Sequence, residues 1–141
     1  MGLYLCVFSS AAADDELEGV EVGSYEDFNS LRYAVSERLE AGNWGSRFPV
    51  LMLHSDSKGE WTPAEASALL QELQTIENEF RAFSPVPFAD GSWQGQAAKL
   101  VGIAPTSLAD SFIDVDGEPL LARLRGLASA AVRYECPISF Q

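Results

Sequence analysis

The stretch from Ser46 to Glu65 constrains the fold of this chain more than any other. Phe48 to Leu53 is an unbroken apolar run, bounded by Gly45-Ser46 on one side and by His54-Ser55-Asp56 on the other. A run of that length between turn residues predicts a strand covered on both faces. Ser57-Lys58-Gly59 is a turn cluster. Thr62-Pro63-Ala64-Glu65 then reads as a capping box with proline at the first helical position. The Thr62 hydroxyl can accept a backbone N–H there, and Glu65 can reach back to the cap. A central strand feeding a helix asks for helices on both sides of a sheet. Phe48 to Leu53 is therefore predicted as the most buried strand, flanked by the first and last strands of the chain.

The rest of the sequence supplies those elements. Gly2 to Phe8 carries no charge and predicts the first strand. Seven acids, from Asp14 to Asp27, then precede the first basic residue, Arg32. Within this acidic stretch Val20 to Val22 predicts a short edge strand, where Glu18 and Glu21 discourage edge-to-edge pairing. Ser24 with Asp27 three residues on opens a helix. Phe28, Leu31, Val35 and Leu39 mark its buried face, and Gly42 stops it. A second helix runs from about Pro63 to Phe83, with Leu69, Leu73, Ile76, Phe80 and Phe83 in register. Ser84-Pro85-Val86-Pro87 ends it. A short helix around Gln94 to Val101 breaks at Gly102 and Pro105. Phe112 to Gly117 alternates and then turns. A last helix covers about Glu118 to Arg133, and Cys136 to Phe140 predicts a terminal strand. A strand–helix–strand unit favours a right-handed parallel crossover. The expected fold is a single-domain α/β sandwich over residues 1–141, with a small mixed three- or four-stranded sheet and helices packed on it.

Length and charge narrow the function classes. The chain has 141 residues, 21 acids against 9 bases, and a net charge of −12. Such a surface repels nucleic acid and anionic membranes and favours a basic partner, although a solubilising surface is the commoner reason for acidity. No run approaches the roughly 20 apolar residues of a membrane span. The start lacks the basic n-region and the long apolar core of a signal peptide. Cys6 and Cys136 are too few for a disulfide framework and read as buried, unpaired residues of one sheet in a reducing cytoplasm.

Few residues invite chemistry. His54 is the only histidine and ends the predicted central strand beside Ser55 and Asp56. Neighbours on a strand point to opposite faces, so these three cannot easily form a catalytic relay. A histidine bonded to the following turn is the commoner outcome. Asp114, Asp116 and Glu118 alternate around Gly117, but a calcium loop needs more oxygen ligands and a terminal glutamate. One histidine and two separated cysteines do not make a zinc site. The sequence contains no phosphate-cradling glycine loop, nucleophile elbow or basic aromatic patch. No catalytic residue, metal or cofactor is expected.

With those residues in view, the chain resembles the bacterial immunity protein 70 family. The resemblance is carried by MGLYLCVF at the start, DELEGVEVGSYEDFN from Asp15, RFPVLMLHSDSKGEWTPAE from Arg47, FIDVDGE from Phe112 and the closing PISFQ. It covers nearly the whole length and is poorest from Phe88 to Ser111. The family is described as immunity proteins of polymorphic toxin systems. The resemblance therefore implies a protein that binds and neutralises a cognate toxin. A small-molecule-binding or enzymatic domain using His54 and Asp56, and an adaptor subunit without a toxin, remain as alternatives.

An inhibitor of a basic toxin needs an acidic face and a few aromatic anchors. Asp14, Asp15, Glu16, Glu18 and Glu21 form the densest acidic group, and Asp56 adds to it from the turn after the predicted strand. Trp44 and Trp61 fall in predicted loops flanking that strand and are the expected anchors. The expected partner is a protein toxin with a basic surface, with no role for nucleic acid or membrane.

Overall fold

The computed structural model describes residues 2–9 and 15–141. Among these residues four strands form one open sheet: β1 (Gly2–Phe8), β2 (Glu16–Ser24), β3 (Glu60–Trp61) and β4 (Ile138–Phe140). Their order is β2-β1-β4-β3, and every pair is antiparallel. The helices are α1 (Tyr25–Leu39), α2 (Pro49–Leu53), α3 (Pro63–Phe80), α4 (Trp93–Val101) and α5 (Leu120–Tyr134), with a 3-10 turn at Leu108–Asp110. The α/β class stands. The mixed sheet with a parallel crossover does not form, because the apolar run expected to supply the crossover strand is not a strand.

Residues Pro49 to Leu53 instead make the short helix α2. Pro49 occupies its first turn, where a missing N–H costs nothing. Charged side chains from distant helices satisfy its ends. Glu72 of α3 accepts the Val50 and Leu51 amides at 3.1 and 2.9 Å. Arg32 of α1 donates to the Leu51 and His54 carbonyls at 3.1 and 2.9 Å. Periodicity cannot distinguish a short buried helix from a buried strand, and these partners decide the case. The central position falls to β1 and β4. Val20 to Val22 belongs to a much longer edge strand than expected, nine residues from Glu16.

The helices cover one face of the sheet rather than two. Leu3, Leu5 and Val7 of β1 join a single core with Phe28, Leu31 and Val35 of α1, with Leu69, Leu73 and Ile76 of α3, and with Leu121, Leu124 and Ala128 of α5. Alternation along the strand turns Tyr4, Cys6 and Phe8 to the face opposite the helices, where Cys6 is still buried and Tyr4 and Phe8 are half-buried. Burying each core leucine stabilises the fold by about 1.5–3 kcal/mol. Both predicted capping boxes are present. Ser24 accepts the Asp27 amide at 3.1 Å and Thr62 accepts the Glu65 amide at 3.2 Å. Cys6 and Cys136 are free and buried, but Cys136 precedes β4 rather than lying in it.

Candidate partner-binding surface

The connection between α1 and α2 carries the most organised exposed group of side chains. Glu40, just past α1, is buried, and its carboxylate accepts three backbone amides of the connection. They are Gly45 at 3.0 Å, Arg47 at 3.0 Å and Phe48 at 3.1 Å. Arg47 makes a bidentate pair with Glu79 of α3, at 3.0 and 2.7 Å. The loop is therefore tied to the end of one helix and the flank of another.

This clamp presents Trp44 to solvent. The indole N–H donates to the Met52 carbonyl at 2.7 Å, leaving the ring 37% exposed. Tyr33 of α1, 62% exposed, packs edge-on against it with centroids 5.3 Å apart. Arg32 lies over Trp44 at 5.4 Å and over Phe28 at 4.7 Å. Leu53, 64% exposed, closes the other side of the patch. A Cβ added at Gly45 would press on Leu53 Cδ2 at 2.6 Å, which this exposed side chain could relieve, but the φ of +81° at Gly45 still favours glycine. Asp56 borders the patch and accepts the Asn29 amide at 2.8 Å. Burial pulls the Arg32 guanidinium below its ordinary value, and the Asp56 charge opposes this. Burial raises the Glu72 carboxyl despite its two amide bonds, and Glu40 adds to the effect.

The sequence-predicted residues do not gather on one face. Asp14 lies outside the described residues. Asp15, Glu16 and Glu21 are exposed and Glu18 is half-exposed. Glu21 pairs with Tyr4 and Glu16 with Phe8 in the sheet register, so both acids stand on the face opposite the helices. The Tyr4 hydroxyl donates to Glu16. That bond, with burial and the acidic surroundings, raises the Tyr4 hydroxyl to about 12. Tyr33 is on the exposed side of α1 and Trp44 follows the end of that helix, so both belong to the helical layer and not to the acidic face of β2. Trp61, expected as a loop anchor, is a correction. It is fully buried in β3, with its indole N–H on the Val50 carbonyl at 3.0 Å, and has no surface to offer. Tyr33 and Leu53 were missed. Tyr33 had a signal, since it falls off the apolar stripe of α1, whereas Leu53 was assigned to a buried strand.

His54 is half-buried and held by its neighbours. Its ring stacks on Phe140, with centroids 4.3 Å apart, and lies 5.2 Å from Trp61. Its nitrogens face the Ser55 and Glu60 carbonyls at 2.8 and 2.9 Å. Asp56 bonds Asn29 instead, so no relay forms through Ser55, His54 and Asp56. Among the described residues no group of three or more His, Cys, Asp or Glu is placed to hold a metal ion, and no helix is long and apolar enough to cross a membrane.

The outer edge of β2 is partly occupied. The Glu21 carbonyl accepts the Val115 amide at 2.9 Å, and the Gly19 carbonyl accepts Arg123 at 2.8 Å. A partner at this edge meets acidic side chains and finds these two backbone acceptors already engaged.

A small α/β domain with a preorganised aromatic patch and a strong acidic excess has the attributes of a protein-binding module. The comparison with family models places it further. Residues 3–140 match the model described as Immunity protein 70, and the chain belongs to that family. Searches of curated proteins and of solved structures each found no match.

Proposed function

We propose that this protein neutralises a cognate protein toxin by binding it directly, with Tyr33, Trp44 and Leu53 as the anchoring patch. The observation that supports this most is the clamp on the α1–α2 connection. Three amides on one buried carboxylate fix the backbone that carries Trp44 before any partner arrives. A preordered anchor loses little conformational freedom on binding, and exposed Trp and Tyr are the residue types that dominate interface energies. The acids serve the partner's approach. A net charge of −12 draws in a basic surface over about a Debye length, and Asp15, Glu16, Glu18, Glu21 and Asp56 contribute to that field.

The test is co-expression with the neighbouring gene product, followed by affinity measurement on purified variants. Trp44→Ala is expected to cost about 2 kcal/mol, roughly 30-fold in Kd. Leu100→Ala changes an exposed residue of α4, outside the patch, and is expected to cost little. Loss of binding with Leu100→Ala and not with Trp44→Ala would move the interface to another face. Failure of the neighbouring product to bind at all would remove the toxin reading.

A further inference from the structure

The exposed ridge of α1 that carries Tyr33 has an open cleft on its other side. The cleft holds about 300 Å³ and is lined by Asp27, Ser30, Phe88, Gln94, Phe112 and Ile113 among others. Ser30 stands one helical turn before Tyr33, so a partner seated on Tyr33 and Trp44 reaches the mouth of the cleft. The volume is at the lower end of ligand pockets and suits one long side chain better than a peptide segment.

The lining mixes apolar residues with the polar Ser30, Gln94 and Ser111. Val86, Pro87, Phe88, Phe112 and Ile113 are among the apolar ones. Among the described residues Asp27 supplies the one carboxylate of the lining, and no lysine or arginine lines the cleft. Its Oδ2 takes the Ser24 amide, the Ser24 hydroxyl and the Trp93 indole N–H, at 2.8, 2.9 and 3.0 Å. Its Oδ1 takes only Gln94, at 2.6 Å, and keeps acceptor capacity. Burial alone would raise this carboxyl, but the bonds from Ser24, Trp93 and Gln94 hold it below its ordinary value. The cleft thus sets one fixed negative charge among mainly apolar side chains.

We infer that this cleft receives an arginine side chain of the bound toxin, with its guanidinium toward Asp27 Oδ1 and its stem between Phe88 and Phe112. Arginine fits better than lysine because its planar, weakly hydrated head stacks on aromatic rings and still donates to a carboxylate. The inference rests on the toxin-binding reading and adds to it the chemistry of one contact.

The cleft can be tested without the toxin. Full-length protein is titrated with N-acetyl-arginine amide, and separately with the neutral citrulline analogue, while backbone amide resonances are followed. The expected result is saturable shifts confined to the cleft residues, with the citrulline compound at least tenfold weaker. Ser30 is exposed on α1, so Ser30→Trp should fold normally, fill the mouth and abolish the shifts. Equal binding of the two probes, or shifts spread over the acidic surface, would overturn the inference. With toxin in hand, Ser30→Trp should weaken binding at least tenfold. Undiminished toxin affinity in Ser30→Trp, alongside a loss in Trp44→Ala, would discard the arginine contact and leave the toxin reading intact.

Discussion

Replacing Glu40 by alanine separates a clamped loop from one that merely lies where it does. The wild-type carboxylate accepts three amides, at 3.0, 3.0 and 3.1 Å. Hydrogen bonds to a charged group contribute about 1.5–3 kcal/mol each when their partners have no water to turn to. Phe48 is buried, so its amide stays unsatisfied in the variant. Gly45 is half-buried and Arg47 is exposed, so water can replace much of what their amides lose. The expected destabilisation is about 2–4 kcal/mol rather than three full bonds. In a domain of this size it corresponds to a fall in Tm of roughly 5–15 °C. The same change frees the backbone beneath Trp44, so the near-ultraviolet circular dichroism of the folded variant should weaken. Toxin affinity should fall although Glu40 has no surface to touch a partner. Glu40→Gln keeps one oxygen for the Arg47 and Phe48 amides and should recover about half of the loss. A Glu40→Ala variant within about 0.5 kcal/mol of wild type, with an unchanged spectrum, would refute the clamp.

Asp114 is fully buried, and burial raises its carboxyl against the Glu118 amide bond and the Arg123 charge. The folded chain then holds this proton more tightly than the unfolded chain. Its stability contribution is present below the unfolded value of 3.8 and is lost as pH rises through the higher folded value. Urea unfolding across pH should therefore show Asp114→Asn gaining on wild type from pH 3.8 upward, and a constant difference would contradict this. Burial first, and the Glu16 charge second, raise the Cys6 thiol to about 11. Native protein should react slowly with a thiol reagent at neutral pH and release two equivalents once unfolded. Neutralising Asp14, Asp15, Glu16 and Glu18 together should slow association with a basic toxin at low salt, with little change in stability. Equal association rates across a salt series would exclude these acids from steering.

Features set by near neighbours could be read from the residues. Ser24 with Asp27 and Thr62 with Glu65 satisfy their helix ends within three residues, and both appear where expected. The spacing of Leu69, Leu73, Ile76 and Phe80 depends only on the helical period, and it holds. The failures are non-local. Phe48 to Leu53 is as apolar as a strand, and nothing within it reports that Glu72 and Arg32 will satisfy its backbone. Trp61 precedes the Thr62 cap and looked like loop, because the strand that covers it, β4, lies at the far end of the chain. The same distance hid the antiparallel pairing of β1 with β4. The candidate surface was half visible. Trp44 stood out as a tryptophan in the loop before the apolar run, whereas the exposure of Leu53 followed from α2 and could not be known before it.

The charges that overrode the strand pattern also make the surface. Glu40, Glu72 and Arg32 all bond backbone groups between Gly45 and His54. An apolar core residue could fill the space of any one of them but could not accept an amide or donate to a carbonyl. Burying charged side chains such as Arg32 and Glu40, with Glu72 half-buried beside them, is a poor way to gain stability, because desolvation consumes most of the attraction. It is an effective way to hold irregular backbone in one conformation. That conformation turns Trp44 and Leu53 outward from a segment whose composition would otherwise bury it. A toxin meeting this surface would find its anchors already placed, and the ordering cost of binding would have been met during folding.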